Sequence, residues 1–289
     1  MEAIKSNLIA TVQYLSKDIG QRSYRDIVNL NKTASYIENA FSSMGYKPIR
    51  QSYVYRGNQY HNISVEASGV ETSKNDIIVI GAHYDTIVGT SGADDNASGI
   101  AGLLELARLV RIKPISRTIH FVAFTLEEPP AFFTKKMGSY IYAKGLYDKG
   151  VKVYGMISLE MLGYYSDNRN SQFYFPFSFL KWFYPDTGNF IAFLGNLSSR
   201  PFSSTFKKSF KAVSSFPVES LNTPSIVPGI NFSDNYSFWR LGYPAIMITD
   251  TAFMRNRNYH KDTDTGDTLD YDKFAELVKG LFNALCILP

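Results

Sequence analysis

The residues best suited to do chemistry in this chain sit just after apolar runs. Asp76 to Ile80 reads as a buried strand, and directly after it come Gly81-Ala-His83-Tyr-Asp85. Shortly downstream stands Ala93-Asp94-Asp95-Asn96-Ala97-Ser98-Gly99. Leu126-Glu127-Glu128-Pro129 ends a second apolar strand, Leu159-Glu160-Met161 ends a third, and Tyr259-His260 lies in a late loop. Imidazoles and carboxylates at strand ends cost desolvation unless something uses them, and the mouth of an α/β sheet is where such groups are used. Two histidines and several carboxylates make enough ligands for two zinc-like ions, with one carboxylate to spare for proton transfer.

Zinc takes neutral imidazole and carboxylate, and a catalytic ion keeps one position open for water. Two such ions ~3.5 to 4 Å apart can share a carboxylate. Asp95, in a turn that opens a helix, is placed to reach between two metals. His83 and Glu160 would serve one ion, and Glu128 and His260 the other. Glu127 is then free to take a proton from water. Asp85, two residues past His83, could hold the second imidazole nitrogen or position its neighbours. His61 and His120 fit no such pattern, and His120, inside the apolar run Ile119 to Phe124, is expected to be hydrogen-bonded and structural.

The elements that must position these groups follow from periodicity. Helices are expected over 3 to 19, from a Thr33 cap to a stop at Gly45, and over 97 to 111, 138 to 149, 201 to 212, 233 to 241 and 270 to 287. Strands are expected near 47 to 56, 60 to 67 (with Gly57-Asn58 turning between them), 76 to 82, 117 to 125, 151 to 160, 189 to 195 and 244 to 249. Residues 164 to 188, rich in Tyr, Phe, Pro, Asn and Ser, break the rhythm. The alternation predicts an α/β fold, a mixed and mostly parallel sheet with helices on both faces. With no Gly/Ser linker and no repeat, residues 1–289 read as a single domain.

At 289 residues, 45% hydrophobic and 15% aromatic, the chain can bury a sizeable core. The net charge of +4 is spread without a basic run, so no nucleic-acid partner is expected. The single cysteine, Cys286, excludes an intramolecular disulfide and reads as a small core residue. No stretch has the ~18 to 20 apolar residues of a membrane span, and the N-terminus lacks a signal peptide's pattern. A cytoplasmic location is therefore expected as the chain is written, with a secreted or periplasmic one if a signal was trimmed. Nothing in the sequence specifies an oligomeric state.

Taken together, HYD at 83 to 85, GADDNASG at 92 to 99, EE at 127 and 128, LEMLG at 159 to 163, SDN at 233 to 235 and YHKDTDTGDTLDY at 259 to 271 resemble metallopeptidase family 28. This is the co-catalytic di-zinc aminopeptidase family, whose fold also houses glutaminyl cyclases and receptor-like ectodomains. The resemblance implies a three-layer sandwich of zinc-peptidase (phosphorylase/hydrolase-like) architecture and two Zn2+ per chain. It implies Asp95 as bridging ligand, His83 and Glu160 at one site, and Glu128 and His260 at the other. Asp85 and Glu127 match the catalytic pair, with Glu127 the general base, and Tyr259 becomes the candidate oxyanion donor. A cis peptide bond after Asp95 is also implied. Two positions depart from the family pattern: Glu160 stands where many members have Asp, and Asn235 where many have His.

The expected activity is hydrolysis of the N-terminal peptide bond of peptides with a free N-terminus, through a metal-bridging water. A one-zinc glutaminyl-peptide cyclotransferase and a non-catalytic receptor-like binding domain are the competing readings. Tyr164, Tyr165, Phe173, Tyr174, Phe175 and Phe177 could wall an apolar substrate pocket or pack their own loop. Arg255 and Arg257 could meet a substrate carboxylate or solvate the loop.

Overall fold

The structure is a computed structural model that describes every residue except Thr72 and Phe175. Its first helix, α1 (Glu2–Gln13), runs on through a π-helical turn at Tyr14–Ile19, and α2 spans Ile27–Ser43. The strands β1 (Ile49–Tyr55) and β2 (Asn58–Ala67) form a hairpin. Its two-residue turn is Arg56-Gly57, both with positive φ, which suits the twist of a hairpin. Then come β3 (Ile77–His83), a tight turn at Ala93–Ser98, α3 (Gly99–Ile112), β4 (Ile119–Phe124), α4 (Gly138–Asp148) and β5 (Val153–Glu160). The chain ends with β6 (Ile191–Asn196), α5 (Arg200–Val213), β7 (Val218–Thr223), α6 (Asn235–Trp239), β8 (Ala245–Thr249) and α7 (Tyr271–Cys286).

Among the described residues, eight strands form one mixed sheet in the order β1-β2-β4-β3-β5-β8-β6-β7. Its centre, β4-β3-β5-β8, is parallel. These strands are apolar on both faces, as a covered parallel sheet requires. Ile78, Ile80, Phe121, Ile157 and Ile248 point into the larger core with α1, α3 and α7, while Val79, Val122, Phe124 and Met156 point to a smaller core under α4 and α6. Helix α7 buries an apolar stripe from Phe274 to Leu285, and the Asp270 carboxylate caps it by accepting the amides of Asp272 and Lys273. The three-layer α/β reading is therefore met. Among the described residues, no helix is long and apolar enough to cross a membrane.

Two expectations differ from the structure. Helix α2 begins at Ile27 and not after Thr33, whose buried hydroxyl donates to the Asn29 carbonyl at 2.9 Å inside the helix. Asp26 is its N-cap residue, with a carboxylate turned back onto Ser23 and Gln21 and not onto a helix amide. The edge strand β7 was not expected, since Val-Glu-Ser-Leu-Asn-Thr alternates too weakly to announce a strand.

Candidate metal centre

Because β3, β4, β5 and β8 are parallel, their C-terminal ends open on one edge of the sheet, and this edge gathers the charged residues. His83 is the last residue of β3, and Glu160 the last of β5. Glu127 and Glu128 lie three and four residues past the end of β4. Asp95 comes from the turn that leads into α3, and His260 from the loop after β8.

Asp95 stands between the two histidines. Its Oδ1 lies 3.4 Å from Nε2 of His83, and its Oδ2 lies 3.2 Å from Nε2 of His260. Glu160 Oε2 is 3.3 Å from the first imidazole, and Glu128 Oε1 is 3.5 Å from the second. Two groups of ligand atoms result, His83–Asp95–Glu160 and Asp95–Glu128–His260, each with all its atoms within 4.8 Å of one another. Tetrahedral ligands ~2.0 to 2.2 Å from a zinc ion sit about 3.3 to 3.6 Å apart, so both sets fit such a cation in chemistry and in size.

Electrostatics favour the same occupant. Burial pushes the Glu128 carboxyl up to about 7 and that of Glu127 well above its ordinary value, with neighbouring carboxylates adding to both shifts. Burial opposes charge on His260, but its contacts with Asp95 and Glu128 outweigh this and raise it to about 10. His83 is likewise raised, against burial, by Glu160, Asp85 and Asp95. Asp95 is lowered, since the two histidines overcome its burial. So many buried acids around two imidazoles form a negative cluster that divalent cations would neutralise.

The surrounding residues fix these groups in place. Asp85 touches His83 and both glutamates, the first through its backbone and the others through its carboxylate. Its backbone carbonyl lies 3.1 Å from Nδ1 of His83, which leaves Nε2 turned to the site. Its carboxylate accepts the amides of Glu127 at 3.2 Å and Glu128 at 3.1 Å. The Ser233 hydroxyl donates to Glu160 Oε2 at 2.6 Å. Asn235 turns away and donates to the Ile230 carbonyl at 2.9 Å, so the departure from histidine there removes no candidate ligand. Tyr259 stacks on the His260 ring, centroids 3.7 Å apart, and its phenol is held neutral by burial and by the carboxylates around it.

The Asp95 turn is held from three sides, by residues to which the sequence reading assigned no role. The Asp264 carboxylate accepts the amides of Asp94 at 2.9 Å and Asp95 at 3.1 Å. Asn96 donates to the Leu159 carbonyl and accepts the Met161 amide, tying the turn to the end of β5. Fully buried Arg22 donates to the carbonyls of Tyr84, Ser91 and Gly92. Gly92 has φ of 59°, and a Cβ there would meet the Asp95 carbonyl at 2.3 Å, so no other residue fits the turn. The Asp95–Asn96 peptide is cis, as expected. For Asp264 a sequence signal existed, the acidic motif after His260, but nothing in it distinguishes Asp264 from Asp262 or Asp267.

Beside the metal centre lies a cleft with about 900 Å³ of empty space, its open mouth included. Glu160 and Tyr259 form one end of it. Of the expected aromatics, Tyr174 and Phe177 line it, whereas Tyr164, Tyr165 and Phe173 do not, and Phe175 lies outside the described residues. Tyr165 packs on Phe216 instead. Arg255 is buried and donates to Gln172 and the Phe190 carbonyl, so it is a strut of the loop, while Arg257 is exposed. His120 is hydrogen-bonded as expected, to the Tyr142 hydroxyl, and His61 pairs with the Ser52 hydroxyl away from the site. Cys286 is half-buried at the end of α7.

Known proteins resemble this chain in sequence and in fold. YfbL of Escherichia coli strain K12 is 41% identical over 98% of this chain and 88% of its own length. Leucine aminopeptidase 1 of Arthroderma otae is 28% identical over 73% of this chain and 54% of its own, so the chain spans about half of that relative. Among solved structures, BSAP, a zinc aminopeptidase from Bacillus subtilis, superposes with a TM-score of 0.76 at 13% identity, covering 97% of this chain and 94% of its own. The glutaminyl cyclase of Tannerella forsythia gives 0.71 at 19% identity, covering 98% of each chain. Likeness at such identities speaks for the fold. Residues 62–285 match Peptidase family M28, three quarters of the chain, and the chain therefore belongs to that family, as a hydrolase of the metallo-exopeptidase kind.

Proposed function

We propose that residues 1–289 form one catalytic domain, a zinc-dependent aminopeptidase that cleaves the first peptide bond of peptides with a free N-terminus. The observation that carries this reading is the position of Asp95, whose two carboxylate oxygens face different histidines. His83, Asp95 and Glu160 would hold one zinc ion, and Asp95, Glu128 and His260 the other. When bound, the two cations supply a water of lowered pKa and a pull on the scissile carbonyl.

The chain's own residues do the rest. Glu127 takes the proton of the attacking water and returns it to the leaving amine, a task suited to a carboxyl raised toward neutrality. Asp85 is a positioning residue, since it fixes the backbone of both glutamates and the tilt of His83. The neutral Tyr259 phenol donates to the carbonyl oxygen as it gains charge. Carboxylate oxygens not engaged by the cations would accept hydrogen bonds from the substrate's α-ammonium group, which favours exopeptidase over internal cleavage.

The fold likeness to a glutaminyl cyclase supports a second reading, cyclisation of N-terminal glutamine with one zinc. One experiment separates the two. The zinc-loaded protein is assayed on leucyl and glutaminyl p-nitroanilides, with acetylated leucyl anilide as control and zinc counted by atomic absorption. Two zinc ions and release of nitroaniline only from free-amine substrates support the aminopeptidase. One zinc ion with pyroglutamyl product supports the cyclase.

A further inference from the structure

The floor of the cleft is the sheet face that α4 and α6 leave open. In-register residues of neighbouring strands share a face, so two rows can be followed across it. One row runs Glu160, Thr249, Ala192, Glu219, and the next runs Ser158, Met247, Leu194, Leu221. All members of the first row line the cleft. The cleft therefore begins at a carboxylate of the metal centre, crosses small and apolar side chains, and ends at a second carboxylate on the edge strand β7. Three strand spacings separate its ends, about 14 Å.

Glu219 is half-buried and makes no ion pair within 4.0 Å among the described residues; Lys207, near enough to feel its charge, donates instead to the neighbouring Ser220 hydroxyl at 2.9 Å. The rings of Tyr174 and Tyr184 also line the cleft, centroids 6.2 Å apart, and the Tyr184 phenol donates to the Ser220 carbonyl at 3.1 Å. A carboxylate beside aromatic faces is a receptor for a cation. We propose that this cleft is the side-chain pocket of the enzyme and that Glu219 selects peptides beginning with lysine or arginine, an apolar stem ending in a positive charge. The proposal rests on the aminopeptidase reading. The span agrees with it: a four-carbon stem reaches about 6 Å, and an ammonium contact of about 3 Å at each end makes up most of the rest.

The test compares lysine with norleucine, which has nearly the same stem and no charge. Hydrolysis of L-lysyl and L-norleucyl p-nitroanilides and calorimetric binding of L-lysinamide and L-norleucinamide are measured on the zinc-loaded wild-type and Glu219→Gln proteins. The wild type is expected to prefer lysine about tenfold in kcat/KM and in affinity, and Glu219→Gln to lose that preference. Glu276→Gln, on the exposed face of α7, is expected to keep it. Cleavage of both anilides without a lysine preference, or a preference that survives Glu219→Gln, overturns the pocket assignment and leaves the aminopeptidase reading standing. No cleavage of either anilide, with lysinamide still bound more tightly through Glu219, overturns the aminopeptidase reading and supports the pocket. Should Glu219→Gln fail to fold, the wild-type lysine-to-norleucine ratio decides alone, a ratio of one or less refuting the proposal.

Discussion

The Asp85 carboxylate takes the Glu127 amide on one oxygen, at 3.2 Å, so an acid at the end of β3 sets the backbone from which the proposed base extends. The other oxygen does the same for Glu128. An amide side chain can accept only one of these bonds with its oxygen. Asp85→Asn is therefore expected to lower kcat by about 10- to 100-fold, the range seen when groups behind a metal centre are changed. The effect should fall on kcat more than on KM, and steady-state kinetics with zinc counting will check it.

Glu127→Gln is expected to keep two zinc ions and near-normal KM while kcat falls roughly 10²- to 10⁴-fold. Its neighbour should behave differently, because consecutive side chains project to different sides. Glu128→Gln should lower zinc content toward one ion per chain. Metal counts on both purified variants test the division of labour, and loss of metal from Glu127→Gln would reverse the two roles.

Removing metal should abolish activity and lower Tm, since a ligand that binds only the folded state stabilises it by mass action. Stepwise return of zinc to the chelated protein is expected to restore activity fully at about two equivalents. Full activity at one equivalent would contradict a co-catalytic pair.

Asp264→Ala removes the acceptor of two buried amides in the Asp95 turn. A loss of about 1 to 3 kcal/mol in unfolding free energy is expected from the stranded donors. Chemical denaturation of the zinc-free protein measures it apart from any loss of metal affinity.

The zinc-free protein should also lose stability as pH rises. Burial raises the Asp234 carboxyl to about 7 and that of Asp250 to about 6, from an ordinary 3.8. A carboxyl with a raised folded-state pKa binds more protons folded than unfolded, so its contribution is fully present near pH 4 and is lost by about pH 7. Tm of the chelated protein is expected to fall across that window, and Asp234→Asn to flatten the slope.

Most of the sheet centre was legible because burial on both faces leaves long apolar runs, as in Asp76 to Ile80, and because polar groups at their ends contrast sharply with them. His83, Asp85, Glu127, Glu128 and Glu160 stood out for the same reason, whereas Asp95, Tyr259 and His260, in a turn and a loop, were marked by their motifs; the structure brings all eight to one edge. What the sequence concealed is held by weaker signals. β7 has half-exposed polar residues and no strong alternation, so Glu219 could not be placed beside the site. The struts Arg22, Asp264 and Ser233 bind backbone or one side-chain oxygen across long sequence separations, and such partners leave no periodic trace. Thr33 resembles a cap because a threonine bonding back to a carbonyl inside a helix looks locally like one that begins it.

Strand β8 follows the other strands among the described residues, yet it lies inside the sheet, between β5 and β6. Until residues 245–249 have left the ribosome, β6 and β7 have no partner in the rest of the sheet, and the floor of the cleft is split down its middle. His260 follows later still. A nascent chain therefore has neither the proposed metal cradle nor the full floor of the cleft until residues 245–260 have emerged, and the activity proposed above cannot begin before then.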